Sequence, residues 1–288
     1  MKIFMHWDME GACGIFSRPE VWYWEPDVPQ HVADRGRNLL IADVNSAVAA
    51  ALANGVDQVI VSDTHHGGGN IVLDRMLSDK RVTYNPRSRG FDASGYRWMP
   101  GLDGSVDGFM VPAHHARAGA PDSFLPHTCN SRQWADFTIN GRSFGEMALE
   151  ACYAAHWGIP LMMTHGDEAA CREARADFPG IVAVPVKRAL DCDHCAGPDP
   201  EAAHALVAQG VAEAVENLRK GACKPFAPKL PMTVAIRMRT ATDADAAVAK
   251  RPDSVERVDD FTVRGHAERH CDVLKWLNGD GLDMPAPK

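Results

Sequence analysis

The residues best suited to chemistry follow directly after apolar, strand-like runs. Asp8 and Glu10 come after the first such run, and His65 and His115 follow two later ones. In an extended segment, residues two apart project to the same side, so the two carboxylates face one place. They repel each other there unless a proton or a cation lies between them. The acidic motif alone is typical of a solvated turn, but its combination with the histidines favours a metal site.

These runs predict strands of one parallel sheet, and open parallel sheets carry their binding sites at the carboxyl ends of the strands. We therefore expect the acids and histidines to meet at one edge. The glycines at residues 67–69 raise the alternative of a phosphate-binding loop. Neither the P-loop lysine pattern nor GxGxxG accompanies them, which argues against it. Adjacent polar residues are expected to have supporting or structural roles: His6, Asp63, His66 and His114.

Two further candidates lie later in the chain. His127 follows a Leu-Pro pair, and Glu146 stands near the start of a helical pattern. Ser143 and Glu146 have the spacing of a capping box, so the pattern alone favours capping for this glutamate. The Asn140-Gly141 pair just before them predicts a hairpin turn.

Two other groupings are weaker. His266 and His270 are four residues apart on a predicted helix, as in a zinc helix, but the glutamate between them is not in the HExxH position. Cys192 and Cys195 have CxxC spacing without a second such pair. A loop with incidental thiols is the preferred interpretation of the cysteine pair.

The opening of the chain predicts a β-α-β unit, with strands at residues 2–7 and 58–62 and a helix over 34–54. The fold class that follows is α/β, a doubly wound, mostly parallel sheet with a smaller α+β domain at the C-terminus. A Pro-, Gly- and Cys-containing segment near residue 190 predicts the junction, giving domains 1–190 and 191–288. Further strands are predicted at residues 108–112, 134–139, 160–164, 181–186, 232–238 and 256–263, and helices at 144–156, 168–175, 200–218, 241–250 and 267–277.

Composition limits the class of partner. The 288 residues include 30 Lys and Arg against 38 Asp and Glu, a net charge of −8, which argues against a nucleic-acid or anionic-membrane surface. An acid at position 8 interrupts any signal peptide, and no run of about 18 apolar residues occurs. The eight cysteines are then expected to be reduced thiols in a cytoplasmic protein.

Taken in order, the motifs resemble the zinc D-aminopeptidases of metallopeptidase family 55, most densely over residues 1–190. The resemblance is carried by Asp8-x-Glu10-Gly11, Ser62-Asp63-Thr64-His65 with Asn70, His115-Ala116-Arg117-Ala118, His127-Thr128, Asn140-Gly141-x-x-x-Gly145-Glu146 and Gly166-Asp167.

The resemblance implies a site for two divalent metal ions per chain, zinc in the family, with Mn²⁺ and Co²⁺ also compatible with such ligands. The implied ligands are Asp8, Glu10, His65, His115 and Glu146, with Asp8 as the bridge. The resemblance thus favours metal binding over helix capping for Glu146, and it implies that His127 is the catalytic histidine. Family members are homo-oligomers, including a ten-subunit ring.

The chain departs from the family pattern at three places. His6 stands where a serine is usual, Cys192 stands where an arginine is usual, and residues 21–29 form an unexpected aromatic, proline-rich segment. These departures leave the implied metal ligands intact and concern the substrate.

The favoured function is an aminopeptidase that cleaves short D-amino-acid peptides or amino-acid amides with metal-activated water. Asp63 and Asp167 are candidates for holding the substrate's α-amino group. Alternatively, Trp22 and Trp24 form a wall for an aromatic small-molecule amide, or belong to a lid or subunit contact. A non-catalytic metal- or peptide-binding protein and a phosphoesterase are the remaining alternatives, the latter without a phosphate-binding motif.

Overall fold

The computed structural model describes residues 1–86 and 99–279. Within them the chain forms two compact units, each assembled from separated segments. The first unit contains residues 1–116, 121–125 and 160–224, and the second contains 117–120, 126–159 and 225–288 as far as they are described. This division differs from the predicted cut near residue 190, because the chain passes between the units more than once and a single boundary cannot separate them.

The strands, in chain order, are β1 (Lys2–Trp7), β2 (Gln58–Asp63), β3 (Val82–Asn85), β4 (Gly108–His114), β5 (Trp134–Ile139), β6 (Arg142–Ser143), β7 (Leu161–Asp167), β8 (Val182–Ala189), β9 (Cys195–Ala196), β10 (Met232–Met238), β11 (Glu256–Arg257) and β12 (Thr262–Ala267). The helices are α1 (Arg18–Val21), α2 (Gln30–Ala53), α3 (Glu146–Ala155), α4 (Glu168–Asp177), α5 (Pro200–Arg219), α6 (Ala241–Lys250) and α7 (Lys275–Asn278).

The first unit is built on a seven-stranded sheet in the order β3-β2-β1-β4-β7-β8-β9. Every pairing in it is parallel except that of β8 with the short β9. This confirms the α/β class with a mostly parallel sheet. Helices α2 and α5 pack against each other, and apolar residues of both join those of β1 in one core.

The β-α-β opening forms as predicted, except that α2 begins four residues before the expected start. Pro29 is its N-cap residue, and the helix ends at Ala53. Gly55 then has a φ of +77°, a backbone conformation that glycine adopts without strain. The following strand pairs residue for residue with β1, from Lys2 opposite Gln58 to Trp7 opposite Asp63.

The segments that leave β1, β2 and β4 are held against one another at the carboxyl edge of this sheet. The backbone N–H of Thr64 donates to Trp7 O at 2.9 Å, and that of Gly11 donates to Ala113 O at 2.7 Å. A Cβ atom at position 11 would lie 2.4 Å from the carbonyl carbon of Ala113, so glycine is required for this approach. The sheet therefore brings the predicted acids and histidines to one edge.

The second unit is built on a five-stranded sheet in the order β11-β12-β10-β5-β6, with antiparallel pairing throughout. The predicted hairpin joins β5 to β6, and Asn140 and Gly141 at its turn have φ values of +51° and +82°. Helices α3, α6 and α7 belong to this unit.

Two predictions for the C-terminal region are wrong. In place of the expected strand over 256–263, the chain forms β11 and the first part of β12. The Val258 N–H donates to Thr262 O and closes a turn between these two strands. The expected helix over 267–277 is largely absent, since β12 continues to Ala267 with every second residue buried. Only a short 3₁₀ turn, His270–Asp272, and the four-residue α7 follow. In the described residues, the helices include none with the length and apolarity needed to cross a membrane.

Candidate metal centre

Four of the predicted ligands come together in the first unit, and all four are buried. His65 Nδ1 lies 2.8 Å from Asp8 Oδ1 and 3.1 Å from Glu10 Oε2. His115 Nε2 lies 3.3 Å from Asp8 Oδ2. The two oxygens of Asp8 therefore face different histidines, an arrangement that suits a bridging carboxylate.

The remaining ring nitrogens fix the orientation of the two imidazoles. His65 Nε2 lies 3.2 Å from the carbonyl oxygen of Val21, and His115 Nδ1 lies 2.9 Å from that of Ala116. A carbonyl only accepts, so each of these nitrogens donates its N–H. A neutral ring then presents the lone pair of its other nitrogen to the carboxylates, as histidines do when they bind metal. The donor set and its orientation fit a divalent cation.

The electrostatics of this cluster favour positive charge. Burial alone would lower the pKa of His65, but the carboxylates of Glu10 and Asp8 outweigh burial and raise the pKa well above its ordinary value. One donor atom each from Asp8, Glu10 and His65 lie within 4.8 Å of one another. A cation is therefore stabilised among these three side chains, either as a proton on His65 or as a metal ion.

The aromatic segment after residue 20 contacts this cluster. Trp22 Nε1 donates to Glu10 Oε1 at 2.9 Å, so the indole orients a predicted ligand. Trp24 stacks on His66 with ring centroids 3.7 Å apart, and its ring lies 5.4 Å from that of His65. Both tryptophans thus lie beside this cluster of carboxylates and histidines, where their predicted role in substrate binding stays a prediction.

Lys187, on β8, has a role that the sequence did not indicate. Its buried ammonium donates three hydrogen bonds, to the carbonyl oxygens of Glu10 at 2.9 Å, Ala12 at 2.6 Å and Ile15 at 2.7 Å. Burial lowers the pKa of this lysine. The available signal was a lysine within an otherwise apolar strand. A lysine buried in such a strand needs several hydrogen-bond acceptors, so its position indicates a structural role.

Asp63 and Asp167 are both engaged by backbone groups. The Asp63 carboxylate accepts from the Asn70 N–H at 2.6 Å and from the Ile71 N–H at 3.1 Å, which holds the loop that carries His65. Asp167 caps α4 and also accepts from the Phe124 N–H at 2.8 Å. Burial raises the pKa of both carboxyl groups. Their predicted contact with a substrate amino group stays a prediction.

The second unit carries the other two predicted residues. His127 Nε2 lies 3.8 Å from Glu146 Oε1, and this oxygen accepts from the Cys129 N–H at 2.7 Å. The capping-box interpretation is wrong, because α3 begins at Glu146 with Gly145 as its N-cap residue. Ser143 pairs in β6 instead, since the hairpin continues through it.

Among the remaining histidine and cysteine groupings, His114 approaches this cluster, because one donor atom each of Asp8, His114 and His115 lie within 4.8 Å of one another. His6 is buried and stacks on Phe4. His114 Nδ1 accepts from the backbone N–H of His115 at 2.9 Å. His266 lies on strand β12, so the predicted helical His266/His270 pair does not form. Cys192 and Cys195 are free thiols, the first exposed and the second buried.

A parallel α/β sheet with carboxylates and imidazoles converging at its carboxyl edge defines a candidate metallohydrolase. The chain belongs to the M55 peptidase family, described as D-aminopeptidase, which matches residues 1–279. Family membership makes it a peptidase, a hydrolase of C–N bonds.

Two similar proteins extend this comparison. A D-aminopeptidase of Bacillus subtilis (strain 168) is 27% identical over 228 residues, which cover 79% of this chain and 78% of the relative. The solved structure titled "Zn-dependent D-aminopeptidase DppA from Bacillus subtilis, a self-compartmentalizing protease" is similar with a TM-score of 0.85 and 24% identity. The similarity covers 96% of this chain and 95% of that one. This structural likeness confirms the fold.

Proposed function

We propose that this chain is a metal-dependent aminopeptidase that removes the N-terminal residue from short peptides beginning with a D-amino acid. The observation that carries the proposal is the buried convergence of Asp8, Glu10, His65 and His115 at the carboxyl edge of the parallel sheet. The names of its relatives, D-aminopeptidase and Zn-dependent D-aminopeptidase, support the substrate class and the metal.

The residues proposed to hold two divalent ions are the four side chains of this cluster together with Glu146, which the family resemblance adds. Asp8 is the proposed bridge. Carboxylates and imidazoles suit Zn²⁺, and Mn²⁺ or Co²⁺ accept the same donors. When bound, two such ions lower the pKa of a water molecule and polarise the scissile carbonyl group.

Proton transfer is assigned to His127 as general acid and base. In the second unit its Nε2 atom lies 3.8 Å from Glu146 Oε1. Positioned proton transfer of this kind contributes roughly 10² to 10⁴ to the rate. Asp63 and Asp167 remain the proposed partners of the substrate's α-amino group.

The proposal is tested by measuring metal content and amine release on the same samples. The variants are Glu10→Ala and His115→Ala, with the exposed Glu213→Ala and His194→Ala as matched controls. The substrates are D- and L-amino-acid amides and D-alanyl peptides. We expect the wild type and the controls to carry two metal ions that both site variants lose together with turnover. Wild-type protein that carries metal but releases no amine from any substrate would overturn the aminopeptidase proposal.

A second candidate is an amidase that uses the same metal ligands on an aromatic small-molecule amide. The observation that favours it is the position of Trp24, stacked on His66 and 5.4 Å from the ring of His65. Aryl and acyl amides in the same panel separate the two functions. Preferred cleavage of an aryl amide, lost in Trp24→Ala and kept in a Trp157→Ala control, supports the amidase.

We further propose that the chain is a cytoplasmic homo-oligomer, with a ten-subunit ring as the specific expectation. The self-compartmentalizing description of the similar structure supports assembly. The eight free cysteines suit a reducing compartment. Light scattering coupled to size-exclusion chromatography measures the subunit number, and a monomer would contradict the ring. Fractionation of producing cells measures the location.

A further inference from the structure

A second group of metal-ligand side chains lies in the first unit, on four separate elements. Cys13 is in the loop after β1, Asp43 on α2, His165 on β7 and His204 on α5. One donor atom each of Cys13, Asp43 and His165 lie within 4.8 Å of one another. His204 Nε2 lies 3.9 Å from Asp43 Oδ1. Three donor groups from distant positions therefore surround the Asp43 carboxylate.

Within the described residues, some buried polar atoms of this group have no hydrogen-bond partner. Asp43 Oδ2 accepts from the Cys13 N–H and pairs with His165 Nε2, both at 2.9 Å. Asp43 Oδ1 and His204 Nε2 are both buried, and neither has a hydrogen-bond partner among the residues that the structure describes. Asp43 is 0% exposed, so leaving a carboxylate oxygen unsatisfied there is costly. A ligand between Asp43 and His204 would remove this cost.

The donor types select a class of ligand. A thiol, a carboxylate and two imidazoles form the mixed set that binds Zn²⁺ tetrahedrally, and a sulfur donor disfavours Mg²⁺ and Ca²⁺. A thiolate and a carboxylate neutralise the two charges of zinc, so the occupied site carries no net charge in its buried position. We infer that Cys13, Asp43, His165 and His204 bind one Zn²⁺ ion, separate from the proposed catalytic metals.

The two distances to Asp43 require only small adjustments. Donor atoms around tetrahedral zinc are about 3.3 to 3.7 Å apart, from bond lengths of about 2.0 to 2.3 Å. The His204–Asp43 distance of 3.9 Å would contract slightly, and the His165–Asp43 distance of 2.9 Å would open by about 0.5 Å. Trp7 packs against the His165 ring with centroids 5.5 Å apart, which limits larger movements.

The ion would act on the structure, not on the substrate. Cys13 is three residues after Glu10, a proposed catalytic ligand, and Lys187 binds the carbonyl groups on both sides of it. Zinc bound to Cys13 would tie this loop to α2, β7 and α5. Without metal, burial and the nearby Asp43 raise the pKa of the Cys13 thiol above its usual range, so zinc binding releases a proton.

Cobalt substitution distinguishes this site from the catalytic one. The proposed catalytic ligands are oxygen and nitrogen atoms, so only the Cys13 site gives a thiolate-to-cobalt charge-transfer band in the near ultraviolet. Full-length protein is stripped of metal, reloaded with Co²⁺ and examined by absorption, with bound zinc measured in parallel. The variants are Cys13→Ala and His204→Ala, and Cys171→Ala is the control, a buried cysteine on α4.

We expect the band and one additional metal ion in the wild type and in the control. Cys13→Ala should lose both, and His204→Ala, whose side chain is 19% exposed and thus tolerant of change, should bind this zinc at least about 100-fold more weakly. The band should persist in Glu10→Ala and His115→Ala even if those proteins are inactive. The band therefore tests the Cys13 site, and the activity separately tests the proposed catalytic site. A wild type without the band, or a band that survives in Cys13→Ala, overturns the inference and leaves a buried Asp43–His165 hydrogen bond.

Discussion

Replacing Lys187 by methionine tests whether one buried ammonium holds the loop that carries the proposed ligands. Methionine keeps the length and the apolar contacts of the stem but removes all three hydrogen bonds to the carbonyl groups of residues 10, 12 and 15. The variant therefore changes the anchoring of Glu10 without altering any proposed ligand.

The expected magnitude follows from two opposing effects. Hydrogen bonds from a charged donor contribute about 1.5 to 3 kcal/mol each, and the three are lost together. Removing the ammonium also removes the cost of burying its charge, which is several kcal/mol. Lys187 is buried, so this cost is present in the folded protein, and burial lowers the pKa of its ammonium. We expect a net decrease of about 3 kcal/mol in the free energy of unfolding.

Urea unfolding of the metal-free protein measures this decrease, and zinc titration measures the effect on the metal site. Arg188→Met is the matched control, because Arg188 is the next residue on β8 and is exposed. Zinc binding should weaken about 10- to 100-fold in Lys187→Met, as when groups that orient metal ligands are removed. If Lys187→Met and Arg188→Met unfold at the same urea concentration, the three hydrogen bonds do not anchor the loop.

Three further predictions concern individual side chains. Trp22→Phe removes the hydrogen bond to Glu10 and should weaken zinc binding about tenfold, as measured by metal titration. His127→Ala should reduce kcat by about 10² to 10⁴ with unchanged metal content, measured by amine release and elemental analysis. Tyr84 donates to Leu77 O, and burial raises its pKa to about 12. The unfolded chain then releases this proton first, so stability should fall as the pH rises from 10 towards 12, an effect absent in Tyr84→Phe.

For each of these three predictions, one experimental result would contradict it. Trp24→Phe is the control for Trp22, and equal zinc affinities in the two variants would remove the role assigned to the Trp22 N–H. A His127→Ala enzyme with near-normal kcat would exclude this histidine from proton transfer. Ultraviolet titration reports tyrosinate directly, and a difference between the wild type and Tyr84→Phe that titrates at the ordinary tyrosine pKa of about 10 would contradict the burial argument.

The sequence was sufficient for features that depend on local pattern. Alternating or continuous apolar runs located β1, β2 and β4, and parallel pairing placed the residues after them at one edge, where Asp8, His65 and His115 meet. The Asn140-Gly141 turn was predicted because its left-handed φ values have a strong residue preference. Each of these signals lies within a few consecutive residues.

Features that depend on distant contacts were missed. Cys13, Asp43, His165 and His204 are spread over most of the first unit's length, so no spacing rule joins them. A signal existed in the apolar face of α2, where Asp43 lies between the buried residues Ile41 and Val44. A carboxylate in such a stripe needs a buried partner, but only the fold identifies that partner.

The backbone of the loop from Asp8 to Ile15 is anchored by residues that are not proposed to bind metal or substrate. Gly11 packs against the β4 backbone, Lys187 binds three carbonyl groups, and the Cys13 N–H donates to Asp43. Two carboxylates at Asp8 and Glu10 repel each other, so an unanchored loop would swing them apart whenever no cation is bound. Anchoring the backbone from Glu10 onwards keeps the ligands in place before metal binds, which lowers the ordering cost of binding. Substitutions in these anchors should therefore appear first as weaker metal binding and only then as lost turnover.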